Sequence, residues 1–354
     1  MANHLPGRAH LSSDELMVDQ LKKTKSYKRL FSCFLHPRKF YQNTMRLHKK
    51  KECQMFFSIV NKKRFKHKMK TQITYNLKNL DSDRETNLDF LELQKLNALY
   101  KNGKRCGKNK QKYLLRNYIW NQTKYKNGHK FKIRSFMVVL STKPMFVVFH
   151  KGYTILDRFN NSISFTDASI SHEDLFDFLK TEKGISKVRF NYIFEEIRQA
   201  CSLLLEITYR KFLRDARYFQ VFAVDFELDS EMTPWLVDVK GSPDYTLKNE
   251  KFVSDLLGIV DQMNQERTQR IMNLVNEARH AVNQSLKEGT LRAQYWSLFI
   301  PDLRKLVSEK MADLPSTLSN SLPSKKRLRE AQMEILFDET RQGKAKGDIP
   351  EFCL

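Results

Sequence analysis

Residues Tyr218 to Pro243 read YFQVFAVDFELDSEMTPWLVDVKGSP, and this stretch brings apolar runs, turn signals and acidic groups into one compact unit. Phe219, Val221 and Ala223 alternate with Gln220, Phe222 and Val224, the pattern of a strand covered on both faces until Asp225 interrupts it. Ser230 to Pro234 supplies turn chemistry, and Trp235, Leu236, Val237 and Val239 form a returning strand around Asp238. The pattern predicts a hairpin with Asp225 and Asp238 on facing strands.

Two desolvated carboxylates that face each other repel, so they require a cation, a basic side chain or a shared proton. Magnesium carried with a nucleotide would serve, because it takes hard oxygen ligands. Lys240 is the internal solution, two residues beyond Asp238 and on its face. Residue spacing leaves both open.

Further motifs place this hairpin in a family context. Lys130, Phe131, Lys132, Ile133 and Arg134 follow the turn Asn127-Gly128-His129, and Asn3-His4-Leu5-Pro6-Gly7 precedes Ser13 to Leu16. In this order the segments resemble the tubulin tyrosine ligase-like family of ATP-grasp enzymes: an Asn-His-Phe-Pro-Gly entry, a Lys-Phe-Asp-Ile-Arg strand and the acidic hairpin. The resemblance runs from about Asn3 to about Pro243 and implies magnesium-ATP bound between two lobes, an acyl phosphate, and transfer of an amino acid to tubulin. It makes Asp225 a magnesium carboxylate, puts Asp238 where the family has glutamate, and puts Lys240 where it has a metal-binding asparagine.

The departures from that pattern fall on its chemistry. Lys240 offers only donors where an asparagine offers a carbonyl oxygen. Lys132 replaces the carboxylate of the strand motif, Ile155 stands where the family has an arginine, and Asp167 in Phe165-Thr166-Asp167 replaces an asparagine. The family's phosphate-covering strand and loop have no counterpart, and Gly103 and Gly107 are the only glycines between Gly7 and Gly128. Catalytic residues are therefore reduced to the remnants Asp225, Asp238 and Arg134, with Lys132, Arg134 and Lys240 as candidate charge compensation. No cofactor is favoured, whereas an active ligase would require ATP and magnesium on Asp225 and Asp238.

At 354 residues and 42.0 kDa the chain can bury a substantial core. Its formal charge of +23 calls for acidic partners, met equally by nucleic acid or by a microtubule lattice with acidic tails. Lys62, Lys63, Arg64, Lys66, Lys68 and Lys70 form the densest basic run and the candidate partner-binding segment. No zinc-finger spacing or RNA-recognition sheet motif accompanies it, which makes RNA the lesser partner. The cysteines at 33, 53, 106, 201 and 353 predict neither a zinc cluster nor a disulfide framework, and a reducing compartment. No stretch approaches the ~20 apolar residues of a membrane span.

In chain order, Leu16 to Leu30 reads as a basic helix and Met45 to Val60 as a helix whose end, MFFSIV, could equally be a strand. Asn79 to Asn87 reads as a surface loop, Phe90 to Leu99 as a helix, and Lys101 to Lys112 as an exposed basic connection. Phe131 to Leu140, Pro144 to His150 and Tyr153 to Leu156 form a meander, with helices at Glu173 to Phe178 and Ile193 to Tyr209. Beyond Pro243, Phe252, Leu256, Val260 and Met263 carry a helical stripe that continues through Ile271, Val275 and Ala278, for packing on its own domain or for a partner. Tyr295 to Ile300 forms an apolar anchor, and a basic helix runs from Lys325 to Phe337.

The resulting expectation is an α+β protein: a reduced, degenerate ATP-grasp-like mixed-sheet domain with a helical C-terminal extension. Its regions are 1–112, basic with a reduced lobe; 113–249, the ligase-like core; and 250–354, the extension. The function expected is a noncatalytic tubulin- or microtubule-binding protein of a cytoskeletal assembly, in the cytoplasm and, by the family's usual setting, the cilium and its axoneme. The alternatives are an active ATP-dependent tubulin amino-acid ligase and an RNA-binding scaffold.

Overall fold

A computed structural model describes residues 5–23, 40–42, 44–61, 75–82, 84–108, 111–117, 119, 121–156, 169–214, 218–243, 250–287 and 322–338. The basic run 62–70, His4, Asp167 and the apolar run 295–300 lie outside them.

Phenylalanine and β-branched residues build the central strands, because such side chains fill a pleated surface buried on both sides. β6 (His129–Thr142) and β7 (Met145–Leu156) form a long hairpin; β9 (Gln220–Leu228) lies on the other side of β6, and β10 (Pro234–Lys240) beyond it. The sheet runs β10-β9-β6-β7-β11, with β11 at Met333–Asp338, and β5 (Lys124–Tyr125) and β8 (Ser169–Ile170) add short pairings to β6 and β7. Every pairing between these strands is antiparallel, so the sheet is not mixed as expected.

Alternation along β6 and β9 divides the interior into two cores. Ile133, Met137, Val139, Phe222, Val224 and Phe226 face one side, where α6 (Lys187–Thr208) supplies Ile193, Ile197 and Leu204. Phe136, Val138, Leu140, Val221 and Ala223 face the other, against Phe252, Leu256, Ile259 and Met263 of α7 (Glu250–Lys287). Each fully buried aromatic or aliphatic side chain here contributes roughly 1.5–3 kcal/mol. The sheet is thus the middle of three layers.

Local signals fix the helices. Before α5 (His172–Lys183), the Ser171 side chain and Asp174 form a capping box, and Gly184 in the left-handed conformation ends the helix. Ser186 caps α6 by accepting from the Arg189 N–H. α1 (Ala9–Ser12) and α2 (Asp14–Lys23) place Leu11, Met17, Val18 and Leu21 in the first core.

A smaller antiparallel sheet, order β1-β4-β2-β3, is made of β1 (Thr44–Arg46), β2 (Tyr75–Asn79), β3 (Arg84–Leu88) and β4 (Tyr113–Asn117). Asn79 to Asn87 is therefore the turn and flanks of a hairpin, not a surface loop, and the expected boundary at 112 falls before a central strand of this sheet. α3 (Lys50–Val60) and α4 (Phe90–Leu99) pack with it around Phe56, Phe57, Leu93 and Tyr100; MFFSIV is helical. Cys53 and Cys106 are joined by a disulfide in this core. One cross-link is not a framework, but it runs against the reducing compartment expected from the cysteines, whose spacing gave no sign of it.

The C-terminal region departs from a purely helical extension. The basic segment forms α8 (Lys325–Glu330) and then β11, which closes the free edge of β7. α7 is one continuous helix whose first half packs on the sheet, whereas Ile271, Met272 and Val275 in its second half are exposed.

Candidate functional site

The acidic hairpin forms as the pattern requires. Asp229 organises its turn by accepting from the backbone N–H groups of Glu231 and Thr233 and from Trp235 Nε1. Asp225 and Asp238 are direct cross-strand partners. Leu236 and Val239 both enter the first core although they are three residues apart, because a bulge between Leu236 and Asp238 resets the alternation. The bulge leaves Asp238 on the same sheet face as Asp225, the face of Ala223.

The same row continues across the sheet: Arg134 on β6 pairs with Asp225, and Tyr153 on β7 pairs with Arg134. Arg134 Nε and Nη2 donate to Asp225 Oδ1 and Oδ2, both at 2.7 Å, with Arg134 6% and Asp225 3% exposed. This is the bidentate fork in which guanidinium and carboxylate geometries match. Burial alone would lower the pKa of Arg134; its bonds to Asp225 outweigh that and hold it above the ordinary value.

The position of Arg134 is set by an irregularity in β7. Lys151 and Gly152 lie opposite the single residue Ser135, whose Oγ donates to the Lys151 carbonyl at 2.9 Å. His172 also engages that carbonyl through Nε2, at 3.1 Å, and the Gly152 N–H donates to His150 Nδ1 at 3.0 Å.

Asp238 has a different environment. Its Oδ1 accepts from the N–H of Val239 and lies 3.8 Å from Lys78 Nζ, which reaches over from the smaller sheet. Lys78 Nζ is also 2.8 Å from Asp14 Oδ2, and Asp14 in turn accepts from Arg116 Nη2 at 2.5 Å. Arg116 Nη1 donates to the Val237 carbonyl at 2.5 Å, which ties the smaller sheet to the bulge of β10. Burial pushes the Asp238 carboxyl up, Lys78 opposes this, and Asp14 and Asp225 add to it.

The ion pairs of the two carboxylates run to Arg134 and Lys78. Lys132 is half-buried on β6, two residues before Arg134, and Lys240 pairs in register with Ala223. Lys240 lines a cleft of about 520 Å³ with Asp14, Lys78, Lys112, Asp238 and Ser242. Asp14, Lys78 and Arg116 were not singled out from sequence. They come from α2 and from two strands of the smaller sheet, so no local signal points to their meeting. Ile155 sits on β7 opposite Lys132.

Among the described residues no group of three His, Cys, Asp or Glu is arranged to hold a metal ion, and no helix is long and apolar enough to cross a membrane.

The fold and this site together define an α+β protein whose central feature is a buried acidic hairpin on an antiparallel sheet. Residues 166–260 match the family model described as the Tubulin-tyrosine ligase family, a span that holds α5, α6, β9, β10 and the start of α7. Over that segment the chain is similar to the Tubulin-tyrosine ligase family. A search of curated proteins with the chain finds no match.

Proposed function

We propose that this chain is a noncatalytic tubulin- or microtubule-binding structural protein of a cytoskeletal or ciliary assembly, built on a ligase-like fold. The observation that carries this reading is the grip of Arg134 on both oxygens of Asp225. A magnesium ion needs oxygen ligands at about 2.0–2.1 Å in near-octahedral array, and a carboxylate held by two guanidinium N–H groups is poorly placed to supply them. Asp238 is shared with Lys78, and Lys240 adds an ammonium to the cleft where the family pattern has an amide oxygen. The donor set does not fit a magnesium ion, so no step through bound ATP is derived. The formal charge of +23 suits an acidic lattice.

An active ligase using ATP and magnesium is the competing reading, and the cleft beside Asp238 favours it. Cosedimentation with microtubules, run with a labelled amino-acid transfer assay, separates the two. The proposal expects pelleting without transfer. Transfer of glutamate, glycine or tyrosine to tubulin overturns it, and RNA affinity exceeding tubulin affinity would point to a nucleic-acid scaffold.

A further inference from the structure

The positive charge of this chain is unevenly placed. Residues 93–156 contain fifteen Lys and Arg and no Asp or Glu. Within that span, the turn 101–108 that follows α4 carries Lys101, Lys104, Arg105 and Lys108, all four exposed. None of the four has an ion-pair partner among the described residues, so their charge is directed to solvent.

The turn is also a built object. Lys101 (φ 45°) and Asn102 (φ 54°) both hold the left-handed conformation that side chains other than glycine rarely adopt. Gly103 (φ 91°) and Gly107 (φ 78°) press against the helix α3; a Cβ on Gly103 would lie 3.4 Å from Phe57 Cβ, and one on Gly107 3.0 Å from Lys50 Cβ. Cys106 is 4% exposed and bonded to the fully buried Cys53 of α3. The backbone closes on itself through Arg105 N–H to the Tyr100 carbonyl at 3.1 Å and Cys106 N–H to the Gly103 carbonyl at 3.2 Å. Small or sulfur-bearing residues point inward at 103 and 106, and cations point outward between and around them. A loop that served only as a connection would need neither the left-handed residues nor the cross-link.

We propose that the turn 101–108, pinned by Cys53–Cys106, is a preorganised cationic docking surface for an acidic segment of a partner protein. The assignment rests on the tubulin-binding reading above and deepens it by giving the surface. Fixing the cations before contact reduces the ordering cost of binding, and four lysine and arginine charges without internal carboxylates attract carboxylates at long range. Single-stranded nucleic acid fits less well, because binding it draws on aromatic stacking: residues 101–108 include no aromatic and the neighbouring Tyr100 is fully buried.

The test uses the full chain and a fluorescent oligoglutamate peptide, with a single-stranded RNA oligonucleotide in parallel. Substitution of Lys101→Gln, Lys104→Gln, Arg105→Gln and Lys108→Gln together should weaken peptide binding by about tenfold or more with an unchanged melting temperature. The double variant Cys53→Ser, Cys106→Ser should weaken it several-fold. Peptide addition should shield Lys101, Lys104 and Lys108 of the wild-type chain from acetylation, a readout that needs no variant to fold. Equal peptide affinity in the four-site variant, or no shielding, overturns the surface; equal affinity in the cysteine variant overturns its preorganisation. RNA binding tighter than peptide binding and lost in the four-site variant overturns the partner class. If wild type and four-site variant pellet equally with microtubules, the surface fails and the tubulin reading stands. If the chain binds peptide through this turn but does not pellet, the tubulin reading fails and the surface stands.

Discussion

Gly152 passes so close to Arg134 that a Cβ on the glycine would sit 1.8 Å from the arginine carbonyl oxygen. With φ at +75°, Gly152 allows two residues of β7 to oppose one of β6, and so sets where the Arg134 side chain leaves the sheet. Gly152→Ala should cost about 3 kcal/mol, since both the conformation and the contact are with backbone. Chemical denaturation checks this, and a loss below about 1 kcal/mol would mean that β7 relaxes easily.

The Arg134–Asp225 pair should show the asymmetry of buried ion pairs. Arg134→Met alone strands a carboxylate that is 3% exposed and should destabilise by about 3–5 kcal/mol. Adding Asp225→Leu should recover most of that loss, because the remaining side chains then pack as apolar groups. A double-mutant cycle reads the coupling, and additive single effects would argue against a shared structural role.

Asp238 should behave oppositely. Its carboxyl is pushed up, first by burial, so its charged form is disfavoured in the fold. The raised value means that the folded chain holds this proton to higher pH than the unfolded chain, and its burden on stability lessens as pH falls through the folded pKa. Asp238→Asn should therefore stabilise at pH 7, read as a higher denaturation midpoint. A destabilised variant would show that Lys78 contributes more than burial takes away.

The histidines flanking the β7 bulge give a dependence of the other sign. Burial lowers His150 to about 4 and His172 to about 4 from an ordinary 6.5. Between those limits the unfolded chain takes up protons that the folded chain refuses, so stability falls as pH drops through that window. The two together should remove about 4 kcal/mol between pH 7 and 5, about 2 from each, and His172→Gln should remove roughly half of that dependence. Urea midpoints across this range provide the measurement, and an unchanged slope in the variant would place the effect elsewhere.

The acidic hairpin was legible in sequence because its signals are local: a doubly buried alternation, a turn, and a second apolar run from Trp235 to Val239. The same holds for α6, whose stripe from Ile197 to Ile207 marks the buried face. The compensation of the carboxylates was only half legible. Arg134 lay on a recognisable strand, but Lys78 comes from a strand, Tyr75–Asn79, whose polar residues look like a loop until β4 covers one edge and β3 the other. Lys240 lay at the right spacing for Asp238, yet spacing along one strand says nothing about the bulge that turns Asp238 or about the ammonium arriving from another sheet. The Cys53–Cys106 bond spans a separation of 53 residues and depends on α3 and the 101–108 turn meeting in space. Likewise, nothing between Lys325 and Phe337 announces that the helix ends at Glu330 and the chain becomes the last strand of the sheet.

The most direct measurement is a calorimetric titration of the chain with ATP in excess magnesium, repeated on Asp225→Asn. If Arg134 has taken over the charge that a metal once neutralised, the wild-type chain shows no saturable heat at millimolar nucleotide, and the variant behaves the same. Saturable, magnesium-dependent binding that disappears with Asp225→Asn would contradict this, because it would mean that the carboxylate leaves the arginine for the ion.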